Sequence, residues 1–147
     1  MTPHPPTEFN LDALMSDLRL YVKSELQKCG KTHIEADTYP YQEGETCSLQ
    51  ADREGIRQIL VHLLDNAVKY IESGFISFGY LAPDTLGVDF FVADTREDED
   101  FNKNLTVASG LAEEMGSALK VSQDVEKPAE YGFYVKGLTK MTHSQLQ

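Results

Sequence analysis

The 147 residues hold two cysteines, Cys29 and Cys47. They have no CxxC spacing and no histidine pair nearby, which argues against a thiolate metal site. Two lone cysteines suit a reducing compartment, so a cytoplasmic domain is expected. No stretch approaches the run of about 20 apolar residues that a membrane-spanning helix needs. Basic residues are scarce, with 13 Lys and Arg against 24 Asp and Glu and a net charge of −11. Such a surface repels the phosphates of nucleic acids and of anionic lipids, so neither nucleic acid nor direct membrane contact is expected. The charge also serves simply to keep the domain in solution. There is no internal repeat and no low-complexity tract. The opening MTPHPPTEFN lacks the basic region and apolar core of a signal peptide. Residues 1–7 read as a Pro-rich linker, and the chain as part of something longer.

What is present suffices for one core. The apolar fraction is 41%, well above that of a disordered chain. Leu11 to Cys29 has helical spacing, with Asn10 or Asp12 to cap its start and Gly30 to end it. Strands are expected at Thr32–Ala36 and Cys47–Ala51, with a turn-rich loop over residues 40–45 between them. Asp52 is a good N-cap for the clearest helix in the sequence. Ile56, Ile59, Leu60, Leu63, Leu64, Ala67, Val68 and Ile71 make one continuous core-facing stripe, and Gly74 closes the segment. Phe75–Leu81 and Leu86–Ala93 read as a hairpin, the second strand as a buried apolar run. Leu105–Met115 reads as a helix closed by Gly116. Ala118–Ser122 and Tyr131–Lys136 are the last expected strands, and the polar tail after Gly137 is expected to fray. The order predicts an α/β (α+β) two-layer sandwich, in which about three helices cover one face of a mixed, mainly antiparallel five-stranded sheet.

At about 100° per residue, His62, Asn66 and Lys69 fall together opposite the apolar stripe, with Asp65 beside them and Tyr70 at the edge. The pattern alone is that of an ordinary polar helix face. It is also a set of ligand-binding groups. An Asn can offer its carbonyl oxygen to a magnesium ion, a Lys can neutralise phosphate, and a Tyr can lie against a base ring.

The order of these residues resembles a known pattern. The run from Asp52 to Gly74 is similar to the nucleotide-binding helix of sensor histidine kinases, R-x-x-Q-[IVL]-L-x-N-L-L-x-N-A-x-K-[FY]. Gln58, Ile59, Leu60, Leu63, Leu64, Asn66, Ala67, Lys69 and Tyr70 match it in ungapped register. FNLDALMSDL resembles the domain's opening strand and helix, and VDFFVADT the strand that leads to its adenine-binding aspartate. LAEEMGSALKVSQ and YGFYV resemble its M-G-G segment and closing strand. The resemblance implies an ATP-binding domain of the histidine-kinase type over residues 8–137, with residues 138–147 a polar tail. It implies ATP and Mg²⁺ as cofactors, Asn66 as the magnesium ligand and Asp94 as the acceptor of the adenine amino group. It also implies two partners, an upstream dimerisation and phosphoacceptor domain and a response regulator. His62 stands where the family has its first asparagine, and an imidazole has no carbonyl oxygen for a hard cation.

The glycine loops depart further. The family strand ends in D-T-G-x-G. Here Asp94 and Thr95 are kept, but Arg96 and Asp98 occupy the glycine positions. The second glycine motif, G-L-G-L, falls on Asn102-Lys103-Asn104-Leu105, so both glycines have become asparagine, the residue that best tolerates left-handed backbone. The lid between the two motifs is reduced to Glu99, Asp100 and Phe101, the first two of which end an acidic run from Glu97 to Asp100. A carboxylate about 5 Å from a phosphate opposes binding by about 3 kcal/mol at an effective dielectric near 20. Two readings stand. One is a degenerate nucleotide site with weak or absent ATP binding and a regulatory or docking role. The other is an active domain that transfers the γ-phosphate to a histidine on the upstream domain. His62, Asn66, Lys69, Tyr70, Asp94, Thr95, Asn102 and Asn104 are the candidate ATP-binding residues that the resemblance implies, and in the active reading Asn66, Lys69, Tyr70 and Asp94 hold Mg-ATP.

Overall fold

Asp52 starts the helix around which the other elements are arranged. Its Oδ1 accepts the Gly55 N–H at 2.9 Å, satisfying one donor of the first turn of α2 (Arg53–Tyr70). The stripe expected from the spacing is buried, with Ile56, Ile59, Leu60, Leu63, Leu64, Ala67 and Ile71 all at 0% exposure. The helix stops at Tyr70 rather than running to Gly74, because Ile71 turns extended (φ −75°, ψ 135°). Lys31 Nζ donates to the carbonyls of Val68 and Lys69 at 2.8 and 3.2 Å. A cation thus sits on the last-turn carbonyls, where the helix dipole favours it.

The computed structural model describes residues 5–39, 45–84, 86–95, 106–122 and 129–143. Before α2 come β1 (Thr7–Asn10), α1 (Leu11–Lys28), β2 (Glu35–Tyr39) and β3 (Glu45–Ala51). After it come β4 (Phe75–Asp84), β5 (Gly87–Asp94), α3 (Thr106–Glu114), β6 (Lys120–Ser122), β7 (Ala129–Lys136) and β8 (Thr139–His143). Five strands form one sheet in the order β2-β4-β5-β7-β6. The β2–β4 pair is parallel and the others antiparallel. With three helices among the described residues, this is the expected α+β sandwich.

Several local expectations shift. Asn10, not Asp12, caps α1, its Oδ1 accepting from Ala13 N–H at 2.9 Å. Gly30 (φ 71°) ends α1, with Lys31 N–H returning to the Leu26 carbonyl at 2.8 Å. Strand β2 begins three residues later than expected, because Ile34 N–H closes a turn onto the Lys31 carbonyl. The β4–β5 hairpin runs past Leu81 to Asp84 with a register shift between them. Pro83 lies within the shift and has no N–H to give a regular ladder. Strand β5 is not buried on both sides. Val88, Phe90, Val92 and Asp94 are buried while Asp89, Phe91 and Ala93 are partly exposed, so helices cover one face only.

A second sheet, β1-β3-β8, was not expected. It corrects the frayed tail, since Thr139–His143 pairs along β3 from Leu49 to Glu45. The chain turns into β8 at Gly137, where an added Cβ would fall 2.3 Å from the Gln50 carbonyl oxygen. Gln50 N–H in turn donates to the Leu138 carbonyl at 3.0 Å.

Asp12 joins the two sheets. From the first turn of α1, its Oδ2 accepts the Cys47 N–H of β3 at 2.8 Å and its Oδ1 accepts the Tyr80 hydroxyl of β4 at 2.9 Å. Burial, with Asp12 close by, pushes the Cys47 thiol up. Asp12→Ala removes the acceptor of a backbone donor as well as of a hydroxyl, so it is expected to cost about 3 kcal/mol in chemical denaturation, against about 1 kcal/mol for Tyr80→Phe. Equal losses in the two variants contradict the junction.

Candidate functional site

The residues expected to bind nucleotide come from α2 and from the end of β5, two elements in contact. They do not form one open surface. His62 and Lys69 are exposed and Tyr70 is half-buried, but Asn66 is 5% exposed. This corrects the expectation of a shared solvent-facing set. Asn66 follows the fully buried Ile59 by seven positions and Leu63 by three, so it borders the apolar stripe rather than opposing it.

The exposed members have their own contacts. Lys69 Nζ lies 5.3 Å from the centre of the Tyr70 ring, a cation–π distance. Asp65 accepts the Tyr21 hydroxyl at 2.6 Å, tying α1 to α2. Burial, together with that carboxylate, pushes the Tyr21 hydroxyl well above its ordinary range. Asp65 therefore serves helix pairing. His33 Nε2, left without a role by the sequence, lies 2.8 Å from the Glu72 carbonyl just after α2.

Asp94 is at 0% exposure, on the helix-covered side of β5. It stands opposite Ile76 of β4 and Ala129 of β7. Thr95 is engaged by the main chain. Its Oγ1 accepts the Phe75 N–H at 3.0 Å and donates to the Ser73 carbonyl at 2.9 Å. Its own N–H donates to the Phe75 carbonyl at 3.2 Å. These three bonds clasp the end of β5 to the turn that leaves α2. Gly74 lies inside the clasp with φ 100°, and a Cβ there would lie 1.9 Å from Thr95 Oγ1. Glycine is required twice over, by the backbone and by the space. Asn102 and Asn104, like the loop from Arg96 to Leu105, lie outside the described residues.

Sequence reasoning missed the clasp because it joins residues 20 and 22 positions apart. The available signal was the pairing of a Ser-Gly turn with a Thr just beyond a strand. Among the described residues, no three His, Cys, Asp or Glu side chains gather as metal ligands. Thr95→Val keeps the shape but removes one acceptor and one donor, and is expected to cost about 2 kcal/mol. Gly74→Ala is expected to cost at least as much, since strained backbone alone costs about 1–3 kcal/mol. Urea denaturation of both variants checks this, and a neutral Thr95→Val contradicts it.

No family model matches the chain. Over 46 residues the chain is 52% identical to the adaptive-response sensory kinase SasA of Trichormus variabilis and to that of Nostoc sp.. That match spans 31% of this chain and only 12% of the length of each relative. Likeness to solved structures is far broader. Full-length ShkA in complex with AMPPNP aligns with a TM-score of 0.72 at 24% identity, over 93% of this chain and 32% of that one. The catalytic domain of histidine kinase ThkA aligns at 0.69 and 19% identity, over 90% of this chain and 96% of its own. Acinetobacter baumannii histidine kinase AdeS aligns at 0.68 and 15% identity, over 89% and 66%. The chain has the fold of a histidine-kinase catalytic domain.

Proposed function

We propose that this chain is the ATP-binding, catalytic-type domain of a two-component sensor histidine kinase. Its nucleotide site is degenerate, and its main role is regulatory or docking. One observation carries the second part. Asp94, which the resemblance sets against the adenine amino group, is completely buried. An adenine reaches it only if the site opens first. The apparent affinity of a site falls in proportion to the fraction that is open. The side chains Arg96 and Asp98 at glycine positions, and the acidic run in place of a lid, add steric and electrostatic opposition.

The donor set still fits a magnesium ion carried by a nucleotide. Asn66 would give its amide oxygen, the kind of ligand this hard cation takes, while phosphates and water fill the other positions. Lys69 would move from Tyr70 to a phosphate. The partners that follow from this reading are an upstream domain bearing the phosphoacceptor histidine and a response regulator. None of the helices among the described residues is long and apolar enough to cross a membrane, and the proposed setting is cytoplasmic.

A working kinase domain is the second reading. The retention of Asn66 on α2 and Asp94 on β5, on elements in contact, favours it. Titration with a fluorescent ATP analogue, with and without Mg²⁺ and beside Asn66→Ala, separates the two. The degenerate site is expected to show no saturable binding up to millimolar ATP. Micromolar binding that Asn66→Ala abolishes overturns it in favour of the kinase.

A further inference from the structure

The face of the five-stranded sheet away from the helices carries a groove of about 770 Å³. Its shape follows from the register. Phe91 stands at the centre of β5 with Gly79 opposite it on β4 and Gly132 opposite it on β7. A ring flanked on both sides by glycines leaves a hollow on either side of itself. The next row, Ser77 and Ala93, is also small. Large apolar groups stand around these hollows, with Phe75 at 40% and Leu81 at 47% exposure. Tyr134 forms another wall, held over Gly87, where an added Cβ would lie 2.0 Å from its hydroxyl oxygen.

The charges at the rim are mostly of one sign. Asp89 and Glu130 line the groove, Lys120 is the lone base in its lining, and among the described residues none of the three forms an ion pair. Glu35 adds a carboxylate on the neighbouring edge strand β2, where Asp37 is already paired with Arg19 at 3.7 Å. Exposed aromatic and aliphatic groups bordered by the Asp89 and Glu130 carboxylates fit a ligand that is apolar along its length and carries positive charge. A second copy of the chain is a poor occupant, because each copy carries a net charge of −11 and would bring carboxylates against carboxylates.

We propose that this outer sheet face is a docking site for a partner protein segment combining aromatic or aliphatic anchors with Lys or Arg. The anchors fill the hollows beside Phe91, and the cations meet Asp89 and Glu130. The site is separate from α2 and the helix-covered side of β5, so it stands whether or not the domain binds ATP.

The test uses the whole chain and a synthetic peptide of alternating Lys and Phe, with the matching Glu and Phe peptide as control. Binding is followed by fluorescence anisotropy and mapped by backbone amide shifts. The Lys peptide is expected to bind and to shift amides of β4, β5 and β7 around Gly79, Phe91 and Gly132. The Glu peptide is expected to leave them in place. The double variant Asp89→Lys with Glu130→Lys is expected to weaken binding roughly tenfold while the remaining amide spectrum keeps its folded dispersion. Phe91→Leu, which keeps an apolar β-sheet residue but removes the ring, provides a second variant and is expected to weaken binding too. Shifts spread over acidic residues elsewhere, such as Glu54 and Asp65 on α2, or equal binding of both peptides, overturn the proposal. So does a concentration-dependent shift of the same amides without peptide, which assigns the face to a second copy.

Discussion

The burial of one stripe of α2 constrains everything else. Eight apolar side chains from Ile56 to Ile71 point one way and are taken out of water together. Each is worth roughly 1.5–3 kcal/mol if it is large and fully covered. That direction is the least negotiable feature of the chain, and it fixes which side of α2 is left for polar groups. The five-stranded sheet accepts the stripe on the face built by Ile76, Phe78, Val88, Phe90 and Val92. The opposite face of the sheet is then left without a helix, which is why Phe91 and Phe75 reach the surface.

The ends of α2 are pinned as firmly as its middle. Asp52 and Gly55 close the start, and Met115 after α3 approaches so nearly that a Cβ at Gly55 would lie 2.8 Å from its sulfur. Lys31 holds the last carbonyls, and His33 reaches the chain just beyond. At Ser73, one residue further on, the Thr95 clasp binds the exit turn to the end of β5. Asp94 is the residue immediately before that clasp. The clasp therefore fixes the backbone that carries the buried Asp94 carboxylate.

Much of the fold was legible because it rests on strong periodic signals. The α2 stripe repeats at helical spacing over sixteen positions, and every one of its residues is buried. Asp52 and Gly116 mark their helix ends by ordinary capping chemistry. Strand β8 was not legible. TKMTH has no alternating apolar pattern, and what holds it is the backbone pairing offered by β3. The onset of β2 was misplaced because a turn uses Lys31 to Ile34. Of the candidate site, spacing put Asn66 and Lys69 on α2 and Asp94 at the end of β5, where the structure has them, but it set Asn66 on an open face although Asn66 follows the buried Ile59 by seven positions. The partners of Thr95, the main chain on either side of Gly74, are not legible from its place after Asp94.

Backbone amide hydrogen exchange, compared with and without millimolar Mg-ATP, tests the tied site most directly. If Asp94 stays closed, exchange across β5, the Thr95 clasp and the α2 exit is the same in both conditions. Saturable protection of Asp94, Thr95 and Asn66 by the nucleotide would contradict the account and place a bound adenine at β5.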